Sequence, residues 1–357
     1  MVPTGGNTSV SECVSSSPAA PTRNTVPDRD GPTHFFTVVF PPRKMPADSK
    51  TTAFTRFAWA ALLFNIVVIL WGVFLRASKS GDGCGQHWLT CHGEVIPSAP
   101  ELKTIIEFSH RLTSGIAFLI VLVLLIWAFK AFGRRCAVRK LAIGAFVFIV
   151  TEALVGAGLV LTGNTAETLT SARPFWAVGH LINTFILLAF LSLTAWVSRG
   201  GRQLDLAAVP TKYAVLMTVA VLGILFVGAS GSIAALSSML FPSVSLAEGI
   251  GKDFSETSNV LLRLRVGHPI LSILAGVYLI LLGGWLASAS GDGAVKRWSN
   301  ILSILVFCQL AFGAATLLTL APILMQVGHL LLADLVWIAF VLLSANFLTS
   351  QQSEPPA

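Results

Sequence analysis

Residues 105–129 read IIEFSHRLTSGIAFLIVLVLLIWAF, an apolar run that carries Glu107, His110 and Arg111 near its beginning. As a helix rising about 1.5 Å per residue, the run is long enough to cross a hydrocarbon layer about 30 Å thick. The segment has to be helical, because a lone strand would leave its backbone groups unpaired in lipid. The stretch therefore predicts a membrane-spanning helix whose ionisable side chains need a reason to be there.

The composition of the whole chain agrees with this interpretation. Of 357 residues, 54% are hydrophobic and 11% are charged, and the mean hydropathy is +0.76. These values exclude an ordinary soluble domain. The net charge of +7 gives no reason to expect a nucleic-acid partner, because in such a chain the placement of Lys and Arg sets the orientation. We therefore expect an all-α protein embedded in a lipid bilayer.

Eight apolar stretches, each about 20 residues or longer, are suited to span the membrane as helices. Before the first of them, residues 1–50 are rich in Ser, Thr, Pro and Asp, which predicts a disordered tail. The eight stretches cover residues 57–76, 104–129, 141–162, 175–197, 213–236, 260–287, 298–320 and 323–348.

Basic residues predict the orientation of these spans. They cluster in the loops after the second, fourth and sixth spans, and loops of this kind face the cytoplasm. Both termini are then cytoplasmic, and the membrane is a plasma or inner cell membrane. The residues concerned are Lys130, Arg134, Arg135, Arg139, Lys140, Arg199, Arg202, Lys212, Lys296 and Arg297.

Four histidines lie in the even-numbered spans, one in each. They are His110, His180, His268 and His329. All four spans enter from the outer side, and each histidine falls within about the first two turns, so the imidazoles are expected at similar depth. The histidine spacing repeats along the chain, which predicts eight transmembrane helices arranged as two pseudo-symmetric four-helix bundles, residues 51–200 and 201–350.

The histidines admit more than one interpretation. A single histidine in a membrane helix often only hydrogen-bonds a neighbouring helix, but four at matching depth indicate a function. Paired imidazoles across a helical bundle hold haem iron from both sides, so we expect each pair to ligate a metal porphyrin. A proton relay is the alternative, for which Glu152 and Asp334 are the acidic groups within the bilayer.

The two halves differ beside their first histidines. Glu107 stands three residues before His110. Arg265 stands three residues before His268, with Arg263 close by. Arginines suit the propionate carboxylates of haem, whereas a glutamate in a low-dielectric site can act as an acid or a base. We therefore expect the second half to hold a resident haem and the first half to do chemistry.

Glu107 has a structural alternative as well. On a helix it lies beside Arg111, four residues later, and beside Lys103, four residues earlier, and either could pair with it. The catalytic and structural interpretations both stay open at this point.

The first outer loop, GDGCGQHWLTCHGE, holds Cys84 and Cys91. On the oxidising side of a membrane the two cysteines could form a stable disulfide or a reversible redox pair. Zinc is a third alternative, with His87 and His92 completing the ligands. A c-type haem attachment site is excluded, because no cysteine stands three residues before Cys91.

Together these segments resemble the haem A synthase family over about residues 55–348. The stretches GDGCGQHWLTCHGEVIP and IIEFSHRLTSG are similar to the family's outer-loop cysteine pair and its Glu-x-x-His-Arg signature. The stretches WAVGHLINTF, RLRVGHP and MQVGHLLLADL, around the other three histidines, support the resemblance. The loop between the fifth and sixth spans departs from members with a second cysteine pair, because it has no cysteine.

The resemblance implies a fold, an activity and two haem sites. The activity is oxidation of the C8 methyl group of haem O to a formyl group, which gives haem A for terminal oxidases. Haem b would be a cofactor bound in the second half by His268 and His329. Haem O would be the substrate, bound in the first half by His110 and His180.

The resemblance also implies roles for the polar groups and partners for the protein. Glu107 matches an essential glutamate, and Cys84 with Cys91 matches a loop pair proposed to form a disulfide involved in catalysis or haem transfer. A haem O synthase would be the donor of the substrate, and an electron acceptor would take the electrons. A homo-oligomer is compatible with it.

Two other classes of function are alternatives. A membrane electron carrier with two bis-histidine haems explains the histidines but gives Glu107 no task. A transporter or assembly factor would use the histidines only for packing.

Overall fold

The computed structural model describes residues 49–201 and 209–352. Within these ranges eight helices are long and apolar enough to cross a membrane, as the sequence predicts. The predicted tail, residues 1–50, lies outside the described residues apart from positions 49 and 50, which begin the first helix.

The helices are numbered here in chain order. They are α1 Ser49–Ala77, α2 Leu102–Ala131, α3 Ala137–Leu161, α4 Arg173–Ser198, α5 Thr211–Leu240, α6 Leu246–Phe254, α7 Val260–Arg265, α8 Gly267–Ala289, α9 Gly293–Leu318 and α10 Ile323–Gln351.

Several helices extend beyond the predicted spans at their charged ends. For example, α9 begins five residues earlier than predicted, where Asp292 accepts a hydrogen bond from Ala294 N at 2.7 Å and caps the helix. Lys296 and Arg297 therefore lie in the first turns of α9. Helical hydrogen bonding continues through such residues because their long side chains can carry the charge out to the membrane surface.

The sixth predicted span, residues 260–287, is two helices instead of one. α7 ends at Arg265 and α8 begins at Gly267. Pro269 explains the interruption, because it has no N–H to donate and its ring clashes with the carbonyl four residues earlier, which belongs to Arg265. His268 therefore lies at the start of a new helix within one span, Val260–Ala289.

The contacts between helices follow the chain order within each half. α1 and α3 each contact α2 and α4, while α8 contacts α5 and α9, and α9 contacts α10. α10 also contacts α1, α4 and α5, so the last helix lies against both halves. Hydrogen bonds between described residues also join the halves: Arg76 Nη2 donates to Gln326 Oε1 at 3.1 Å, and Trp337 Nε1 donates to the Phe185 carbonyl at 2.6 Å.

The apolar core lies where these helices meet. Phe185 and Trp337 stack there, with ring centres 5.7 Å apart. Large apolar side chains elsewhere are exposed, such as Leu63, Leu281 and Phe307. Extensive exposed apolar surface is typical of a face that contacts lipid. The arrangement as two pseudo-symmetric bundles stays a prediction.

Candidate functional site

One large cavity, with a volume of about 1820 Å³, opens among the eight long helices. All four histidines of the even-numbered spans line it. The structure thus brings to one cavity four residues that are as far apart in the sequence as positions 110 and 329. Their roles as ligands stay predictions.

His268 and His329 face each other across the part of the cavity between α8 and α10. Their ring centres are 6.4 Å apart and their planes are nearly perpendicular, at 87°. A metal bond to an imidazole nitrogen is about 2 Å long, which puts the ring centre roughly 3 Å from the metal. The separation therefore suits one metal ion shared between the two rings, as in a bis-histidine haem.

The ring nitrogens of the histidines are not equivalent. In His110, His180 and His329 the Nδ1 atom is buried without a hydrogen-bond partner among the described residues. In His268 the Nδ1 atom lies 3.0 Å from Ser230 Oγ. A ligand in the cavity would therefore bind through Nε2, which in His329 also lies 3.5 Å from the amide nitrogen of Gln309.

A glycine of the preceding long helix lies against the imidazole in three of the four cases. A Cβ atom built on these glycines would be 2.8 to 3.0 Å from the ring carbon Cε1. Such close approach requires glycine, because any larger residue would displace the ring. The pairs are Gly72 with His110, Gly231 with His268, and Gly313 with His329.

Glu107 is buried, with 3% of its surface exposed. Its Oε2 atom accepts a hydrogen bond from Cys84 N at 2.8 Å. Its Oε1 atom accepts from Arg111 Nε at 3.1 Å and Nη2 at 2.5 Å. Arg111 in turn donates through Nη1 to the carbonyls of His87 and Thr90 at 2.6 and 2.8 Å. The predicted pairing of Glu107 with Arg111 is therefore present, and it ties the carboxylate to the cysteine loop at the cavity wall.

The cysteine loop is fixed to the start of α2. Cys84 and Cys91 form a disulfide, so their sulfurs are not thiolate ligands for zinc. The described residues contain no group of three or more His, Cys, Asp or Glu placed to hold a metal ion. The carbonyl of Gly83 accepts from Thr104 Oγ1 at 2.7 Å and from His92 Nε2 at 2.9 Å.

Glu152 on α3 is a residue of the cavity wall that the sequence indicated only as an acid for a proton relay. Its Oε1 atom accepts from Thr184 Oγ1 and its Oε2 atom from Asn183 Nδ2, both at 2.5 Å. Oε1 also lies 3.5 Å from His180 Nδ1. The second predicted acid, Asp334, lines the cavity with both oxygens buried and without a partner among the described residues.

Of the two arginines expected to bind haem propionates, only Arg265 lies at the cavity wall. Arg265 lines the cavity, and its Nε donates to Asp253 Oδ1 at 2.7 Å. Arg263 is exposed and is not part of the cavity wall. Arg76 and Arg173 do line the cavity, although no sequence pattern pointed to them. The role of Arg263 and Arg265 toward propionates stays a prediction.

Two loops close over the first half on the side where α2 and α4 begin. Lys79 Nζ, after α1, lies 2.5 Å from Glu167 Oε1, after α3. The hydrogen bond from Lys79 lowers the pKa of the Glu167 carboxyl below its usual value. This exposed ion pair links the loop that contains the disulfide to residues 164–166, which line the cavity.

Known proteins are similar to this chain over most of its length. A "Protoheme IX farnesyltransferase" of Thermus thermophilus is 42% identical over 302 residues, 84% of this chain. The chain spans about half of that relative, 50% of its length. A "Heme A synthase" of Halalkalibacterium halodurans is 30% identical over 282 residues, 76% of this chain and 89% of the relative. A "Heme A synthase" of Alkalihalophilus pseudofirmus is 28% identical over 281 residues.

A family model matches the part of the chain that lines the cavity. The model described as "Cytochrome oxidase assembly protein" (COX15-CtaA) matches residues 55–341. The match includes the disulfide loop, Glu107 and all four cavity histidines. The chain therefore belongs to the COX15-CtaA family of cytochrome oxidase assembly proteins, the haem A synthase family.

Proposed function

We propose that this protein is a haem A synthase, which oxidises the C8 methyl group of haem O to a formyl group for use in terminal oxidases. The observation that carries the proposal is one large cavity among the long helices, lined by two histidine pairs and by the buried carboxylate of Glu107. The names of the relatives from Halalkalibacterium and Alkalihalophilus support it.

The second half would hold haem b as a resident cofactor. His268 and His329 are the ligands, supported by the 6.4 Å separation of their rings. Haem b bound there would supply a one-electron carrier. Ser230 orients the His268 ring by its contact with Nδ1 at 3.0 Å.

The first half would hold haem O as the substrate, between His110 and His180. Converting the methyl group to a formyl group adds one oxygen atom and removes two hydrogen atoms from the carbon, through a hydroxymethyl stage. This is a four-electron oxidation of that carbon, and the proposal assigns the electrons to the external electron acceptor that the family resemblance implies. A carboxylate at the cavity wall can accept a proton released at these steps. Glu107 has this role in the proposal, with Arg111 and the Cys84 N–H fixing its direction.

The Thermus relatives suggest a partner for the reaction. Their name describes transfer of a farnesyl group to protohaem, and the chain matches only half of their length. We infer that farnesyl transfer belongs to the part of those proteins that this chain does not match. A farnesylated protohaem is the kind of molecule that the proposed reaction consumes, so a farnesyltransferase of this type is the proposed donor of haem O.

The experiment that tests the proposal identifies the haems that the protein makes. The full chain is expressed in cells with no other source of formyl haem but with a source of haem O. Extracted haems are then separated by chromatography and identified by mass. We expect haem A in these cells and haem B with the purified protein. Haem B alone would favour the electron carrier, haem O made from protohaem and farnesyl diphosphate would favour a farnesyltransferase, and an absence of haem would favour a packing role.

Gly231→Ala is expected to lower the haem b content of the purified protein severalfold. The added Cβ would lie 2.9 Å from Cε1 of His268 and would push the ring out of line with His329. Pyridine haemochrome spectra of the purified protein measure the haem b that each chain retains. Gly223→Ala on the same helix is the control, because nothing lies within 4 Å of a Cβ at Gly223. Equal haem b content in Gly231→Ala and Gly223→Ala would show that haem binding does not require the close approach of Gly231 to His268.

A further inference from the structure

Two polar residues occupy matching sequence positions on α3 and α9. Glu152 lies in TEALVGA, residues 151–157, and Gln309 lies in CQLAFGA, residues 308–314. In each segment a Gly-Ala pair follows four residues later. Each of the two also faces the cavity histidine of the next helix at 3.5 Å: Glu152 faces His180, and Gln309 faces His329. The two halves therefore differ at this position by one negative charge.

The carboxylate of Glu152 is held in a fixed direction. One oxygen accepts from Thr184 Oγ1 and the other from Asn183 Nδ2. The side chain is only 18% exposed, so bulk water screens its charge weakly. The amide oxygen of Gln309, in contrast, is buried and has no partner among the described residues.

The two contacts also involve different ring nitrogens. Oε1 of Glu152 lies 3.5 Å from Nδ1 of His180, a buried nitrogen that makes no hydrogen bond to any described residue. The amide nitrogen of Gln309 lies beside Nε2 of His329. The His180 side chain is 37% exposed although its Nδ1 atom is buried, so the ring meets the cavity through atoms other than Nδ1.

We propose that Glu152 is a positioning residue, which holds His180 with Nδ1 toward the carboxylate and Nε2 toward the cavity and makes it a stronger electron donor than His329. When a carboxylate accepts the Nδ1 hydrogen of a ligating histidine, it fixes the ring and raises its basicity. Here this requires the 3.5 Å separation of Glu152 Oε1 from His180 Nδ1 to shorten when haem binds. A more basic axial ligand and a nearby negative charge both favour ferric iron, so they lower the reduction potential. The inference rests on the proposed function, because it needs a haem at His180.

Potentiometric titration of the full chain, purified and supplied with haem O, tests this inference. In the parent we expect two midpoint potentials, and the one that disappears in His180→Ala belongs to the first half. Glu152→Gln should shift that midpoint to a more positive value and leave the other unchanged, because the amide has the same shape but no charge. Gln309→Glu is the reciprocal variant and should shift the other midpoint to a more negative value.

The outcomes separate this inference from the proposed function. A parent chain that binds no haem at His180 would sink the proposed function. A parent with both haems, together with unshifted midpoints in Glu152→Gln and Gln309→Glu, would overturn this inference alone. If Glu152→Gln loses haem, Glu152→Asp decides, because its shorter side chain keeps the charge and withdraws it from Nδ1. A positive shift in Glu152→Asp supports the positioning role, and an unchanged midpoint overturns it.

Discussion

Replacing Glu107 by glutamine is expected to lower the formation of formyl haem about 100-fold or more, the usual cost of losing a general acid or base. The amide oxygen can still accept from Cys84 N, so the loop should stay attached to α2. What is lost is the negative charge that pairs with Arg111 and that accepts protons in the proposed reaction. The measurement is the haem A content of cells in which this protein is the only source.

The design must separate a chemical role of Glu107 from its role in holding the loop. Thiol alkylation before and after reduction reports whether the Cys84–Cys91 disulfide still forms in the variant. Glu101→Gln is the matched control, because Glu101 is an exposed carboxylate one helical turn or more away from Glu107 along the same segment. Parental haem A output from Glu107→Gln would exclude a proton-transfer role, and loss of the disulfide together with activity would assign Glu107 to the loop.

Replacing His268 or His329 by alanine is expected to remove the haem b that we propose for the second half, whereas His180→Ala should keep this haem b and lose turnover of haem O. An iron held between two imidazoles loses one of its two protein bonds in the first two variants. Haem b per chain, from pyridine haemochrome spectra, is the measurement. His87→Ala is the control, because His87 is exposed in the cysteine loop. If His268→Ala keeps the parental haem b content, the assignment of the halves is wrong.

Much of the fold follows from the physics of the bilayer. Hydrocarbon requires long apolar helices, so the eight spans could be read from hydropathy alone. The ends of the helices could not be predicted from hydropathy, because helical hydrogen bonding continues through charged residues such as Lys296. The helix break before His268 depends on Pro269. This proline is visible in the sequence, but the hydropathy of the long apolar run around it predicts one continuous helix.

The candidate site was only partly predictable. Matching depth on alternate spans indicated the four histidines as a group, because depth follows from position along a helix. The contact between Glu152 and His180 joins different helices, and only tertiary packing brings them within 3.5 Å. The contact of Gly231 with His268 was equally unpredictable, because a glycine in a membrane helix does not indicate which side chain will pack against it.

The position of α10 has a consequence for how the protein is built. This helix closes the second half, yet it also covers α1 and α4 and binds them through Gln326 and Trp337. A polypeptide that ended after α4 would leave those surfaces and the carbonyl of Phe185 without their partners. We therefore expect the first four helices to need α10 for a complete surface, so complementation by the separately expressed remainder would require α10 to dock onto them.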